Sequence, residues 1–82
     1  MWFVYILRCA DGSLYTGSTN DLQKRLERHN DGTAAKYTRS RRPVIIVFQE
    51  QLNSRSSALM REASIKKMSR LEKLYLINKI NT

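Results

Sequence analysis

Cysteine and histidine are almost missing from this chain: Cys9 and His29 each stand alone. One thiol has no intramolecular disulfide partner, and it excludes a zinc site of several thiolates. A reducing, cytoplasmic setting is the expectation for such a chain. Long apolar runs are missing too. Nothing approaches the roughly 20 apolar residues that a membrane span needs, and no strongly amphipathic basic helix with an aromatic face offers itself to a lipid surface, so no membrane partner is expected. The opening Met1-Trp2-Phe3-Val4-Tyr5-Ile6-Leu7-Arg8 lacks a basic leader and a small-residue cleavage site, and reads as a strand, not a signal peptide. Acidic residues are scarce: 7 Asp and Glu face 15 Lys and Arg, a net charge of +8 on 82 residues. That bias favours a polyanionic partner, most simply DNA or RNA. A chain of this length makes one domain with a small core, here residues 1–82.

What is present organises readily. Residues 2–8 and 13–18 read as two strands around the turn signal Ala10-Asp11-Gly12. Two registers are open. A two-residue Asp-Gly turn pairs Arg8 with Tyr15 and puts Tyr5 and Tyr15 on opposite faces. A three-residue loop with Gly12 left-handed pairs Leu7 with Tyr15 and Tyr5 with Gly17, making the tyrosines diagonal neighbours on one face. Asn20 looks like an N-cap, with Gln23 at the capping-box position, for a helix that runs to about Asn30 and stops at Gly32. Leu22 and Leu26 give its buried stripe, and Arg25 and His29 share the face beside it.

Residues 32–42 form a basic loop that Pro43 ends. Val44-Ile45-Ile46-Val47-Phe48 follows, a third strand apolar enough to be central. A helix from about Ser54 to Met68 comes next. Ser69-Arg70-Leu71-Glu72 is a capping box for another, whose apolar positions Leu71, Leu74, Tyr75 and Ile77 fit helical spacing. The expected fold is α+β (α/β in the broad sense): a three-stranded antiparallel sheet flanked by helices, in the order β-β-α-β-α-α.

Each candidate for chemistry has an ordinary explanation beside it. Strands favour tyrosine, so Tyr5 and Tyr15 could be packing residues. Gly17 could mark a strand end. Arg25 could be a solvated charge, His29 a cation near a helix C-terminus, and Glu62 the i, i+4 partner of Lys66. Glu62 is the most telling. On a helical wheel it falls between Ala58 and Leu59, on the inward side, where a carboxylate needs a cation or a metal.

Taken together, these residues resemble a known family. Phe3-Val4-Tyr5 and Tyr15-Thr16-Gly17 resemble the two halves of the GIY-YIG signature. Arg25 and His29 follow Tyr15 by ten and fourteen residues, as in that superfamily's first helix, and Glu62 matches the metal-binding glutamate of its next long helix. Tyr15-Thr16-Gly17-Ser18-Thr19, Lys36-Tyr37-Thr38 and Arg41-Arg42-Pro43 are similar to the small stand-alone bacterial UPF0213 (YhbQ-like) members, over about residues 2–76. Phe3 replaces the signature's first glycine, Ser18 stands where several of these nucleases place a lysine, and a C-terminal asparagine could match Asn78 or Asn81.

The resemblance implies hydrolysis of a phosphodiester with one divalent metal, Mg²⁺ or Mn²⁺, held by Glu62 as its only protein ligand. It implies catalytic roles for Tyr5, Tyr15, Arg25, His29 and Glu62, with Gly17 structural. Tyr5 or, in preference, Tyr15 would help deprotonate water, as a phenolate favoured by the metal and Arg25. Arg25 suits the transition-state charge, and His29 would orient a tyrosine or bind phosphate. Lys36, Arg39, Arg41 and Arg42 are expected to bind the nucleic-acid backbone. The implied function is a DNA endonuclease of low sequence specificity, structure-dependent or nonspecific, in repair or recombination. The alternative is a basic nucleic-acid-binding module with little or no activity.

Overall fold

The N-terminal hairpin sets the frame. The computed structural model describes residues 1–80, with strand β1 at Trp2–Arg8 and β2 at Leu14–Thr19. Between them the Asp11 carboxylate accepts from the Ser13 amide and hydroxyl, at 3.0 and 2.6 Å. Gly12 sits at φ 85°, a left-handed conformation that costs a glycine little. The loop therefore has three residues, and Leu7 pairs with Tyr15 and Tyr5 with Gly17. Because side chains alternate along a strand, Tyr5, Leu7 and Tyr15 share one face, and Val4, Ile6 and Ser18 share the other.

The third strand, β3 (Ile45–Leu52), pairs antiparallel with β1, giving the order β2-β1-β3. This corrects the expectation that the Val44–Phe48 run would be central. The central strand is β1, whose Val4–Leu7 run is buried on both faces. An apolar run reports that helices cover both faces of a sheet; it does not report position within the sheet. As an edge strand β3 leaves Ile45 49% exposed.

One face carries a cluster of Tyr5, Leu7, Cys9 and Val44, against which Leu22, Leu26 and Ile46 pack. Leu22 and Leu26 come from helix α1 (Leu22–Asp31). Its N-cap is Asp21, not Asn20: the Asp21 carboxylate accepts from the Lys24 amide at 3.1 Å. The strand runs on through Thr19, whose hydroxyl accepts from the Asp21 amide at 3.1 Å, and this delays the first helical turn by one residue. Gln23 closes no capping box and instead donates to Glu27 at 3.2 Å. Gly32, at φ 86°, ends the helix as expected.

The basic loop contains a short helix, α2 (Lys36–Arg39), that hydrophobic periodicity could not reveal in four residues. Asn30 ties the end of α1 to the start of β3. Its amide accepts from the Val44 N–H at 2.8 Å and donates to the Val44 carbonyl at 3.1 Å, as a neighbouring strand would.

The other face of the sheet is covered by α3 (Arg55–Lys66) and α4 (Arg70–Ile80) around Val4, Ile6, Phe48, Ala58, Ile65 and Ile77. Ser54 caps α3 by accepting from the Ser57 amide at 3.1 Å. The Ser69–Glu72 capping box at the head of α4 is reciprocal, at 3.0 and 3.2 Å. Only one side of α4 meets the sheet. Leu74 and Ile77 pack inward, while Leu71 and Tyr75, which share the helical spacing, are 79% and 71% exposed.

Candidate active site

Tyr5 projects from the central strand across its partner Gly17. A Cβ at Gly17 would lie 2.6 Å from the Tyr5 Cζ and nearer still to the hydroxyl, so residue 17 can carry no side chain while the ring stays there. Gly17 has no left-handed φ; its value here is space.

The Tyr5 hydroxyl meets His29 Nε2 at 2.9 Å, and the other ring nitrogen, Nδ1, meets the Thr38 hydroxyl at 2.8 Å. All three side chains are buried. Burial, and then Tyr15 and Glu62, push the Tyr5 phenol well above its usual range, against the lowering effect of Arg25. Arg25 acts in the foreseen direction, but among the protein's own groups loss of solvent outweighs it. Burial, and then Arg25, hold His29 below its ordinary value. Phenol and imidazole thus face each other as neutral groups.

Tyr15 stands edge-on to the His29 ring, with centroids 5.2 Å apart, and stacks on Tyr37 at 5.9 Å. Arg41 lies over the Tyr37 ring at 4.0 Å. Arg25, one turn before His29 on α1, is half-buried, and its charge acts on both Tyr5 and His29.

Glu62 approaches from α3, on the far face of the sheet, beside the outer strand β2. Its side chain is 17% exposed, accepts from the Ser18 hydroxyl at 2.6 Å and pairs with Lys66 Nζ at 2.8 Å. Its charge is felt at Tyr5, and Lys66, held protonated by Glu62, also senses Tyr15. The i, i+4 ion pair is therefore real, and the inward placement is real as well. Among the described residues no three His, Cys, Asp or Glu converge on one point. A metal caged by protein does not fit this donor set. An ion of the Mg²⁺ type, which keeps most of its water and needs one carboxylate, does fit Glu62.

The loop cations divide. Arg41 donates from Nε to Asp11 at 3.1 Å and from Nη1 to the Tyr37 carbonyl at 2.8 Å. Arg42 donates to the Arg39 and Asn30 carbonyls at 2.8 and 3.3 Å. The exposed side chains of Lys36 and Arg39 make no such bonds among the described residues. Asn78 is exposed on α4, away from Tyr5, and Asn81 lies outside the described residues.

Sequence reasoning did not single out Thr38 or Ser18 as partners of site residues. Thr38 carried no signal beyond its place in Lys36-Tyr37-Thr38, because its value lies in a contact with a helix nine residues earlier. Ser18 registered only as a missing lysine.

A signature hairpin with paired tyrosines on one face, an arginine and a histidine on the helix behind them, and a glutamate brought in by a later helix define a GIY-YIG domain. The GIY-YIG catalytic domain family model matches residues 1–78. A UPF0213 protein of Staphylococcus saprophyticus is 53% identical over 76 residues, 93% of each chain, and one of Staphylococcus aureus is 55% identical over 75 residues, 92% of each. The solution structure of a UPF0213 protein from Bacillus halodurans is similar with a TM-score of 0.61 at 42% identity, covering 95% of this chain and 84% of that one. A solution structure from E. faecalis gives 0.64 at 41% identity, with 96% and 84% covered. The chain belongs to the GIY-YIG family and, within it, to UPF0213.

Proposed function

We propose that this protein is a metal-dependent endonuclease of low sequence specificity that acts on DNA, in repair or recombination, in a reducing cytoplasm. The observation that carries the reading is the buried Tyr5–His29 pair, hydrogen-bonded at 2.9 Å on the face that also bears Tyr15 and Arg25. Glu62 would hold a single Mg²⁺ or Mn²⁺, which when bound supplies positive charge at the scissile phosphate and the leaving oxygen.

In this reading Tyr5 never becomes a free phenolate. Its oxygen accepts a proton from the attacking water as its own proton passes to His29 Nε2. The water oxygen bonds to phosphorus, the bond to the leaving oxygen breaks, and solvent protonates that oxygen. His29 then returns its proton to solvent through Tyr5. Arg25 holds a phosphate oxygen as charge builds. Tyr15, between His29 and Tyr37, orients the water.

The test is cleavage of labelled linear, flapped and branched DNA with Mg²⁺ or Mn²⁺. Tyr5→Phe, Tyr15→Phe and Glu62→Gln should each slow cleavage by about a hundredfold or more while leaving folding and DNA binding intact. Equal cleavage by Glu62→Gln would remove the metal assignment. A second reading, a binding module with the same fold, draws on the pairing of Glu62 with both Ser18 and Lys66, which satisfies the carboxylate without a metal. Wild-type protein that binds every substrate and cuts none would establish that reading instead.

A further inference from the structure

The hydrogen bonds around His29 form a chain with a direction. The buried Thr38 hydroxyl lies 3.2 Å from the Ala35 carbonyl oxygen, three residues back. A carbonyl only accepts, so a hydrogen bond here takes the one Thr38 hydroxyl proton to Ala35, whose carbonyl also accepts from the Arg39 amide at 3.2 Å. The same Thr38 oxygen lies 2.8 Å from His29 Nδ1. With its proton turned to Ala35 this oxygen accepts, and Nδ1 carries the hydrogen. A neutral imidazole has one N–H, so Nε2 is bare. Tyr5, 2.9 Å from Nε2, must then donate.

We propose that Thr38 is a positioning residue that holds His29 as its Nδ1–H tautomer and so keeps Nε2 open to the proton of Tyr5. Thr38 touches no substrate in this scheme; it acts through His29. In the opposite tautomer Nε2 would donate to the Tyr5 oxygen, and the phenol would have no base to receive its proton. The groups around the ring agree with a neutral imidazole of fixed orientation. Tyr5 and Tyr15 face it from the sheet, Thr38 from α2, and burial, then Arg25 on its own helix, disfavours a second proton. The short helix α2 thereby gains a purpose: it places one hydroxyl between Ala35 and His29.

The catalytic consequence rests on the nuclease reading, but the tautomer does not, and it can be read without any substrate. His29 is the only histidine, so the imidazole nitrogens of ¹⁵N-labelled protein give unambiguous NMR signals. At about pH 7.5, above the ordinary histidine range, the wild type should show a protonated Nδ1 and a bare Nε2. Thr38→Ser should show the same pattern. Thr38→Val, of matching shape but without the acceptor, should shift population to the Nε2–H form, with backbone amide spectra confirming that it folds. A wild-type ring protonated on Nε2 would overturn the proposal by itself, whether or not the variant folds. So would a Thr38→Val protein that keeps Nδ1–H in full. In cleavage assays Thr38→Val should lower kcat by about a hundredfold with little change in KM, and Thr38→Ser should restore it. If the wild type cuts no DNA with either metal, the nuclease reading fails while the tautomer measurement still stands.

Discussion

Gly17 and Tyr5 depend on each other through space. The Tyr5 ring passes over residue 17 so closely that a methyl group there must push it aside. The hydroxyl is also tied to His29 and the ring is buried, so it has little freedom to yield. Gly17→Ala should therefore destabilise the fold by about 1–3 kcal/mol, the usual cost of overpacking, measurable as a lower urea midpoint at unchanged slope. An unchanged midpoint would mean that the ring does not lie over Gly17. Residue chemistry also gives a pH dependence. Because the folded state holds His29 below its ordinary value, the unfolded chain binds that proton first as pH falls. Stability should be fully present above about pH 6.5 and should decline as the medium acidifies from there toward the lowered folded value. His29→Gln should flatten the decline that the imidazole causes between about pH 7 and 5. A wild-type urea midpoint constant across that range would contradict a buried neutral imidazole.

At the scale of elements, α1 decides whether the site exists, since it carries Arg25 and His29 together. Its first turn is held by Asp21, whose carboxylate accepts from the Lys24 amide. Asp21→Ala should cost about 1 kcal/mol, and Asn20→Ala, at an exposed turn position, should cost much less. Denaturant midpoints of the pair decide the cap, and the reverse ranking would restore Asn20. Elements were legible where local rules act alone. A turn at Ala10-Asp11-Gly12, the Ser69 capping box and Gly32 as a stop all depend on neighbours in sequence, whereas the loop's register stayed open between two choices. The rest depended on distant partners. The β3 strand runs on to Leu52 through Gln49, Glu50 and Gln51 because β1 supplies a partner along that length, with Gln49 opposite Tyr5 and Gln51 opposite Phe3. Leu71 and Tyr75 fit an apolar stripe, yet the sheet meets only the other side of α4. Within the site, the shared face of Tyr5 and Tyr15 followed from one choice of register. Thr38 did not follow, because a buried hydroxyl has no periodicity to betray it.

At the scale of the whole molecule, the net charge of +8 says that a polyanion is attracted but not where it lies. The hydrogen bonds sharpen this. Of the four cations expected to meet the nucleic-acid backbone, Arg41 and Arg42 are turned onto Asp11 and the carbonyls of Tyr37, Arg39 and Asn30. They pin the α2 segment, and with it Thr38, to the body of the protein. Lys36 and Arg39 reach solvent from the same segment without such ties among the described residues. A cation that releases a counterion from DNA must be free to approach a phosphate, so the two pairs should separate under salt. Replacing both Lys36 and Arg39 by alanine should reduce the slope of log affinity against log salt by about 2 while leaving the urea midpoint unchanged. Arg41→Ala and Arg42→Ala should leave that slope nearly intact and lower stability by about 1 kcal/mol each, the net worth of the bonds lost. If the Arg41 and Arg42 variants instead carry the change in slope, those side chains must leave their carbonyls when DNA binds, and the segment that holds Thr38 against His29 would have to reorganise with them.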